Sequence, residues 1–349
     1  MLIAGSYIGD DMENRRLPGM IKVCAIFLAT LFATPAVAEP VKIRIGWLLV
    51  PAEITPIFSP APGITKHLGV SYVLEPTRYQ GSSLLTSALG AGEIDVAPFG
   101  YSSFALAVQN AGMTNLRIFA DEDRDGVGGH FTTQFMVRKD GGPTTVEGLK
   151  GKVLATNAEG SIGDMAMRFM LRKHGLNDRK DVSIVAYALP NMKATLAEGK
   201  VDLITSVLPF YLDPDLQRIA RTLFTSLESV GPAEISILTA SAGFLQKNRS
   251  AVVDFLEDYL RVLRWYNDPA NRDAAVRVVA EFTKVPPEQF AGWVFGSQDY
   301  YRDPNAIVDV EALQKNVDVQ RELGFLKEPL NVKSYVDMSL VEEAGKRAK

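Results

Sequence analysis

The sequence has very little cysteine and histidine. Its one cysteine is Cys24, and its three histidines, His67, His130 and His174, lie far apart without the spacing of a metal site. Cys24 falls in an N-terminal segment that we expect to be removed. The mature chain would then hold no disulfide, no thiolate nucleophile and no cysteine-ligated metal. We accordingly predict no metal, no cofactor and no catalytic residue.

A basic surplus is also absent. The chain has 37 lysine and arginine residues against 41 aspartate and glutamate residues, which gives a net charge of −4. Binding to nucleic acid therefore has no electrostatic support. The composition, 47% hydrophobic and 22% charged, is ordinary for a globular protein, and 349 residues are enough for two domains of ~150 residues each.

Residues 1–38 have the order of a secretory signal. A basic stretch that ends at Lys22 precedes an apolar run at residues 23–32, and small residues that end at Ala38 fit a cleavage site. The apolar run is shorter than the ~20 residues that span a bilayer. We predict a signal peptide at 1–38 and a periplasmic product. Met20 is an alternative start, in which case residues 1–19 would be a start-site artefact.

One nine-residue pattern occurs twice, at residues 88–96 and 195–203. Each copy indicates the end of an apolar helix, a glycine stop, a tight turn and a buried strand. A unit used twice suggests two similar lobes, and a cleft between two lobes is a common place for a small ligand. We expect the aspartates of the pattern to fix local backbone and to take no part in binding. The matching positions are Leu89 and Leu196, Gly92 and Gly199, and Asp95 and Asp202.

Strand and helix patterns alternate along the mature chain, which indicates mostly parallel sheets. We predict that the chain crosses between the lobes near 132–134 and again near 234–237. Residues 39–133 plus 237–349 would form lobe 1, and residues 134–236 lobe 2. From Ala242 onward the pattern is helical, and we expect this region to pack on lobe 1. The polar run Asp121–Gly126 lacks the continuation of a calcium loop and is predicted to be a solvated loop.

The motifs together resemble those of the periplasmic substrate-binding proteins of ABC importers of the sulfonate, taurine and nitrate type. Binders of thiamine-pyrimidine precursors belong to the same superfamily. The resemblance implies two Rossmann-like α/β lobes with a hinge and a central cleft, the type II periplasmic binding protein fold. It also implies delivery of ligand to an ABC permease with a cytoplasmic ATPase, without chemistry; we expect a monomer. The resemblance rests on Ala88-Leu89 with Gly92–Ala97, Leu149–Val153, Asp181-Val182, Gly199–Asp202, and Gly324–Leu326 with Tyr335–Asp337.

Helix starts are the predicted ligand contacts, because many members of such families hold an anion at helix N-termini, where free N–H groups and the helix dipole favour negative charge. One start carries Gly81, Ser82 and Ser83, and its counterpart in lobe 2 carries Ser161 and Ile162. The serines could equally be plain helix caps. A third candidate is the loop with Tyr101 and Ser102, ahead of a helix at 103–110, because ligands sit beyond the carboxyl ends of strands.

Three further residues complete the predicted site. Trp47 ends the first strand, Phe210 follows a lobe 2 strand, and Thr132 lies at the first crossing. Either aromatic could instead cover the core. The predicted ligand is a small organic anion, a sulfonate or a carboxylate. The alternatives are a neutral pyrimidine-type thiamine precursor, presentation of ligand to a sensor, and a cleft enzyme of the same fold.

Overall fold

The structure is a computed structural model that describes residues 39–58, 63–130 and 133–349. The predicted signal peptide and the predicted site residue Thr132 lie outside these ranges. Across the part of the chain that is described, no helix combines the length and the apolar character needed to cross a bilayer.

Ten strands form two sheets of five. The first sheet has the order β2-β1-β3-β10-β4 and the second the order β7-β6-β8-β5-β9. The strands are β1 (Val41–Trp47), β2 (Tyr72–Arg78), β3 (Val96–Phe99), β4 (Leu116–Asp125), β5 (Thr133–Arg138), β6 (Val153–Thr156), β7 (Ser183–Ala186), β8 (Leu203–Val207), β9 (Ala220–Thr225) and β10 (Ala233–Ser241).

Helices connect and cover these strands. Short 3₁₀ turns add Thr55–Ile57, Glu147–Leu149, Leu189–Asn191, Phe210–Leu212, Pro269–Asn271 and Val332–Tyr335. The α-helices are α1 (Ser82–Ala91), α2 (Tyr101–Gln109), α3 (Ile162–Lys173), α4 (Met192–Ala197), α5 (Pro214–Ile219), α6 (Ser226–Val230), α7 (Ala242–Lys247), α8 (Arg249–Asn267), α9 (Arg272–Thr283), α10 (Glu288–Ala291), α11 (Val310–Glu322) and α12 (Ser339–Arg347).

The two sheets share one plan. In the first, β1 runs parallel to β2 and β3, and β10 is antiparallel to β3 and β4. In the second, β6 runs parallel to β7 and β8, and β5 is antiparallel to β8 and β9. Two similar α/β sheets confirm the predicted fold class. The chain passes from the first sheet to the second between β4 and β5, and returns between β9 and β10.

The C-terminal helices pack on the first sheet, as predicted for this region. On α8, the buried Asp258 accepts hydrogen bonds from the backbone N–H groups of residues 66–68 and from the hydroxyl of Tyr72, at 2.7–3.1 Å. Farther along α8, Tyr266 Oη donates to Ile57 O at 2.6 Å. These polar contacts, together with a shared apolar core, fix the helices against β2 and the loop that follows β1.

The prediction of a solvated loop at Asp121–Gly126 is wrong. Residues 121–125 continue β4, and the carboxylates of Asp121, Glu122 and Asp123 are all buried. The C-terminal segment covers this strand, since Asp121 N donates to Ala306 O and Arg124 N to Tyr301 O, both at 2.9 Å. The run lacks the alternation of apolar and polar residues that indicates a strand. It is buried by a segment that is distant in the sequence, and no local pattern predicts that contact.

Candidate ligand-binding site

The first predicted ligand contact is the N-terminus of α1. Gly81 is the N-cap, no side chain caps the helix, and the first turn carries no acidic residue. The hydroxyls of Thr86 and Ser87 donate to Ser82 O and Ser83 O, at 2.8 and 3.1 Å. These bonds use the backbone carbonyls of Ser82 and Ser83 and leave their side-chain hydroxyls available. Ser82 is half-buried and Ser83 exposed. The positive end of this helix is therefore not compensated by its own first turn.

Trp47 lies beside that helix start. It is the last residue of β1, and its carbonyl accepts a hydrogen bond from Tyr79 N at 2.8 Å. Its ring is 5.5 Å from the ring of Phe282, and the guanidinium of Arg78 sits 5.4 Å from its centroid. The indole is half-buried. Trp47 and the start of α1 thus meet at the carboxyl edge of the first sheet, where β1 and β2 end together.

The starts of α2 and α3 are brought together, one from each sheet. Tyr101 and Ser102 form the first turn of α2 and are fully buried, so the prediction that they lie in a loop is wrong. A Cβ built on Gly100 would lie 2.6 Å from Ile162 Cδ1 and 3.0 Å from Ile235 O. Only a residue without a side chain allows this approach between α2 and α3.

The start of α3 is already satisfied by its own residues. Ser161 Oγ accepts from Asp164 N at 3.3 Å and donates to Asn157 Oδ1 at 2.8 Å. The buried Asp164 carboxylate accepts from Gly160 N and from Arg168 Nε, each at 2.9 Å. Ser161 therefore acts as a cap, and a carboxylate compensates the helix dipole. An anion at the start of α3 would compete with the Asp164 carboxylate for the positive end of the helix. The first turn of α1 carries no such carboxylate.

Acidic groups surround the first turn of α2. Tyr101 Oη is buried and makes no hydrogen bond to the described residues. Burial raises the pKa of Tyr101, and the carboxylates of Asp125 and Asp164 raise it further. Burial and the same Asp125 also raise the pKa of Tyr211. Two tyrosine hydroxyls and two carboxylates therefore lie in the region between the sheets.

Phe210 lies on the other side of this region, in the turn Phe210–Leu212 after β8, and is half-buried. Just before it, Leu208 O accepts a hydrogen bond from Tyr300 Oη at 2.8 Å. This bond joins the turn to the C-terminal part of the chain. Phe210 is thus held near the junction of the two sheets, with its role as a ligand wall still a prediction.

A second polar feature, which no sequence motif predicts, is the acidic cluster, formed by Glu53, Glu122, Asp123 and Asp299 around Arg302. All five are buried. Arg302 Nη1 donates to Asp299 Oδ2 at 3.0 Å, and Glu53 Oε2 accepts from Leu49 N at 2.6 Å. Neither carboxylate oxygen of Asp123 has a hydrogen-bond partner among the described residues. One arginine faces four carboxyl groups, so this cluster holds more acid than its cation can neutralise.

Burial shifts the acids of this cluster strongly. It raises the pKa of Glu53 to about 7, against weaker opposing hydrogen bonds from the backbone. Burial also raises the pKa values of Glu122 and Asp123 well above their usual range; the neighbouring carboxylates add to this effect, and the charge of Arg302 opposes it. Charged forms are disfavoured in a dry interior, so these groups hold their protons to higher pH than exposed carboxyl groups do.

Catalytic arrangements do not stand out in the described ranges. No group of three or more histidine, cysteine, aspartate or glutamate side chains has metal-binding geometry there. His130 Nδ1 lies 2.7 Å from Asp299 O, and His174 Nδ1 lies 2.7 Å from Glu147 Oε1. Ser161 is hydrogen-bonded to Asn157 and not to a histidine, so no base is placed to activate its hydroxyl.

Two similar α/β sheets with helix starts at their shared junction define the architecture of the type II periplasmic binding proteins. The periplasmic aliphatic sulphonate binding protein SsuA from Escherichia coli superposes with a TM-score of 0.68 at 17% identity, covering 87% of this chain and 100% of SsuA. The periplasmic nitrate-binding protein NrtA from Synechocystis PCC 6803 gives 0.69 at 16%, covering 89% and 90%. At such identities the likeness concerns the fold.

Sequence comparison defines the family. Residues 36–280 match the NMT1-like family, and the chain belongs to that family. It is also 21% identical to YtlA of Bacillus subtilis strain 168 over 274 residues, which cover 77% of this chain and 80% of YtlA. The same fold also serves an enzyme: the desulfurization enzyme DSZB superposes with a TM-score of 0.63 at 16% identity, covering 88% of this chain and 100% of DSZB. Fold alone therefore does not separate binding from catalysis.

Proposed function

We propose that this protein is an extracytoplasmic solute-binding protein that captures a small organic anion, a sulfonate or a carboxylate, between its two sheets. One observation carries the proposal. Helix α1 starts at Gly81 with no capping side chain and no acid in its first turn. It follows β2, whose carboxyl end lies at the same sheet edge as that of β1, and such a helix start favours anions.

Ligand delivery to an ABC permease with a cytoplasmic ATPase is part of the same proposal. It is supported by membership in the NMT1-like family and by the periplasmic binding proteins that share the fold. We propose a periplasmic monomer that performs no chemistry. The absence of an activated nucleophile at Ser161, whose hydroxyl is engaged by Asn157, supports a binding role over an enzymatic one.

A neutral pyrimidine-type ligand is a second candidate, and the buried acids favour it. Tyr101 faces the carboxylates of Asp125 and Asp164, and neither carboxylate oxygen of Asp123 has a hydrogen-bond partner among the described residues. Carboxylates accept hydrogen bonds from ring and amino N–H groups and repel anions. A ligand seated deep against these groups would need donors, whereas a ligand at the start of α1 would need negative charge.

A thermal-shift screen of the purified protein separates the candidates. The panel contains alkyl and aryl sulfonates, carboxylates, nitrate and aminopyrimidines. A ligand at ~100 times its Kd stabilises the native state by ~2.7 kcal/mol, which gives a clear rise in Tm. Stabilisation by anions supports the first proposal. Stabilisation by pyrimidines alone replaces it with the second candidate, and no shift with any of these compounds contradicts both.

A further inference from the structure

Helix α3 packs against both sheets, with a different face toward each. The face toward the core of the second sheet consists of Ala166, Met167, Met170 and Leu171. The other face carries Ile162, Met165 and Phe169, which join the apolar core of the first sheet. Residues three or four positions apart lie in one row along a helix. Arg172 is the next position of this second row, so the row that meets the first sheet ends in a charged side chain.

Arg172 donates two hydrogen bonds to the end of α11. Its Nη1 donates to Glu322 O at 2.9 Å, and its Nη2 donates to Leu323 O at 3.1 Å. Helix α11 belongs with the first sheet, since Asn316 Oδ1 accepts from Glu234 N of β10 at 3.2 Å. The last carbonyls of a helix have no partner inside it and form the negative end of its dipole, which favours a cation. A guanidinium from the second sheet thus caps a helix of the first.

The turn after α11 leaves two carbonyls to this guanidinium. The N–H groups of residues 323–325 donate to the carbonyls of residues 319–321, at 2.8–3.2 Å. Gly324 has a φ of 84°, the left-handed conformation with which glycine commonly ends a helix. These bonds use the three carbonyls that precede Glu322 O and Leu323 O. The end of α11 therefore has a fixed shape, with its last two carbonyls within reach of Arg172.

Arg172 is itself held by a chain of ion pairs that begins at the start of α3. Asp164 Oδ2 accepts from Gly160 N and from Arg168 Nε, each at 2.9 Å. Arg168 Nη1 donates to Asp178 Oδ2 at 3.1 Å, and Arg172 Nε donates to Asp178 Oδ1 at 2.6 Å. Asp164 and Asp178 are both buried. A side chain fixed in this way loses little conformational freedom when it meets α11.

Apolar contacts accompany this polar one. A Cβ built on Gly160, just ahead of α3, would lie 3.4 Å from Leu106 Cδ1 of α2 and 3.8 Å from Phe325 Cε1, which follows α11. The guanidinium of Arg168 lies 5.6 Å from the centroid of the Phe325 ring. Arg172 is near the other end of α3, about 15 Å along the helix from its start. The junction between the sheets is therefore apolar at the start of α3 and charged near its end.

We propose that Arg172 is a latch between the two sheets. Its bonds to the end of α11 hold α3 against α2 and α11, and their loss lets the sheets move apart about the two crossings, between β4 and β5 and between β9 and β10. The latch goes beyond the function proposed above and does not depend on the identity of a ligand. One consequence does rest on that function: the fraction of protein open to a ligand sets the apparent affinity.

Two spin labels measure the separation in the ligand-free protein. Cys24 is the only cysteine, so Cys24→Ser removes the competing thiol. Labels are placed at Lys315→Cys on α11 and at Lys180→Cys after α3, both exposed positions, and pulsed electron–electron double resonance gives the distance distribution. We expect one short distance in the parent. Arg172→Gln should add a longer distance and lower the ratio of short to long by about tenfold, because hydrogen bonds to a charged group are lost.

Two further variants complete the test. Arg221→Gln removes a guanidinium that also donates to a backbone carbonyl, Pro143 O, but within the second sheet's own part of the chain, and should keep the parent's distribution. Arg172→Lys keeps the charge without the forked pair of donors and should give an intermediate ratio. Circular dichroism checks that each variant folds, and Arg172→Lys decides the outcome if Arg172→Gln does not.

Three results would overturn the latch. They are a parent that shows only the longer distance, Arg172 variants that keep the parent's distribution, and an equal lengthening in Arg221→Gln. Because no ligand is present in these measurements, failure of the latch leaves the solute-binding proposal standing. Failure of the thermal-shift screen likewise leaves the distance measurement valid.

Discussion

Asp95 holds the backbone and the side chain of Arg44 with a single carboxylate. Oδ2 accepts from Arg44 N at 3.1 Å and from Arg44 Nε at 2.9 Å, and Oδ1 accepts from Nη2 at 2.6 Å. In return, Asp95 N donates to Arg44 O at 2.8 Å. The aspartate thus joins the turn ahead of β3 to the middle of β1.

The second sheet repeats this arrangement at Asp202. Its Oδ2 accepts from Val153 N at 3.0 Å, and its N–H donates to Val153 O at 2.7 Å. Gly92 and Gly199, the glycines of the repeated pattern, have φ of 72° and 69°. The duplicated sequence pattern therefore encodes a duplicated turn, and its aspartates belong to the scaffold, in agreement with the expectation from sequence.

Replacing Asp95 should reduce stability and spare ligand affinity. Asp95→Ala removes hydrogen bonds to a charged partner and to a backbone N–H, so we expect a loss of about 1.5–3 kcal/mol in the free energy of unfolding. Asp202→Ala should cost less, about 1 kcal/mol, because its cation Lys152 is half-exposed at 3.7 Å. Urea denaturation measures both. Lost ligand binding at unchanged stability would place Asp95 in the site instead.

Gly92→Ala should destabilise the protein through its backbone alone. A Cβ at this position would meet nothing within 4 Å, so the expected cost of about 1–2 kcal/mol comes from the left-handed φ. Gly90, two residues earlier in α1, is the matched control. Gly90→Ala should stabilise by about 0.5–1 kcal/mol, because alanine is the better helix former. Equal effects of the two substitutions on urea midpoints would contradict this assignment.

The sequence predicted the repeated architecture well, because it depends on local signals. Glycine stops such as Gly92 and Gly199, and apolar strands such as β1 and β8, can be recognised from their own residues. Strand β4 could not be predicted to its end. Its acidic half is covered by a segment about 180 residues later, at Tyr301–Ala306, and no local pattern predicts that contact.

At the candidate site, too, local features could be predicted from the sequence and long-range contacts could not. Helix starts at Ser82 and Ser161 were predicted from serine and glycine, and both helices are present. Whether a start is open or already capped depends on side-chain rotamers, and Asp164 closes that of α3. The approach of Gly100 to Ile162 joins two sheets, so sequence spacing gives no sign of it.

Ser161→Ala is expected to affect stability, whereas Ser82→Ala is expected to affect ligand affinity. Ser161 caps α3, so its loss should cost about 0.5–2 kcal/mol of stability and leave ligand affinity nearly unchanged. Ser82 caps no helix, so Ser82→Ala should change stability by less than about 0.5 kcal/mol. If an anion binds at α1, this second variant should weaken its affinity. Thermal denaturation and calorimetric titration of both variants provide the comparison; equal loss of affinity would restore Ser161 to the site.

Stability should fall as the pH rises from 5 to 8. The pKa of Glu53 is raised to about 7, and those of Glu122 and Asp123 are raised well above normal, mainly by burial. The native state therefore holds protons that the unfolded chain releases near pH 4. The stabilisation from these groups is complete below that pH and is lost as the pH climbs through the native pKa values, by up to ~1.4 kcal/mol per unit for each group.

Asp123→Asn tests the source of that pH dependence. Asp123 faces Arg302, Glu53, Glu122 and Asp121. Replacing its carboxyl group with an amide removes one buried group that would otherwise lose a proton as the pH rises. The variant should gain stability relative to the parent at pH 8, and the fall in its free energy of unfolding between pH 5 and 8 should be smaller. Asp140→Asn, at an exposed position, should keep the parent's profile. Urea denaturation at each pH provides the measurement. A parent protein that becomes more stable toward pH 8 would mean that the acidic cluster is ionised and compensated in the native state.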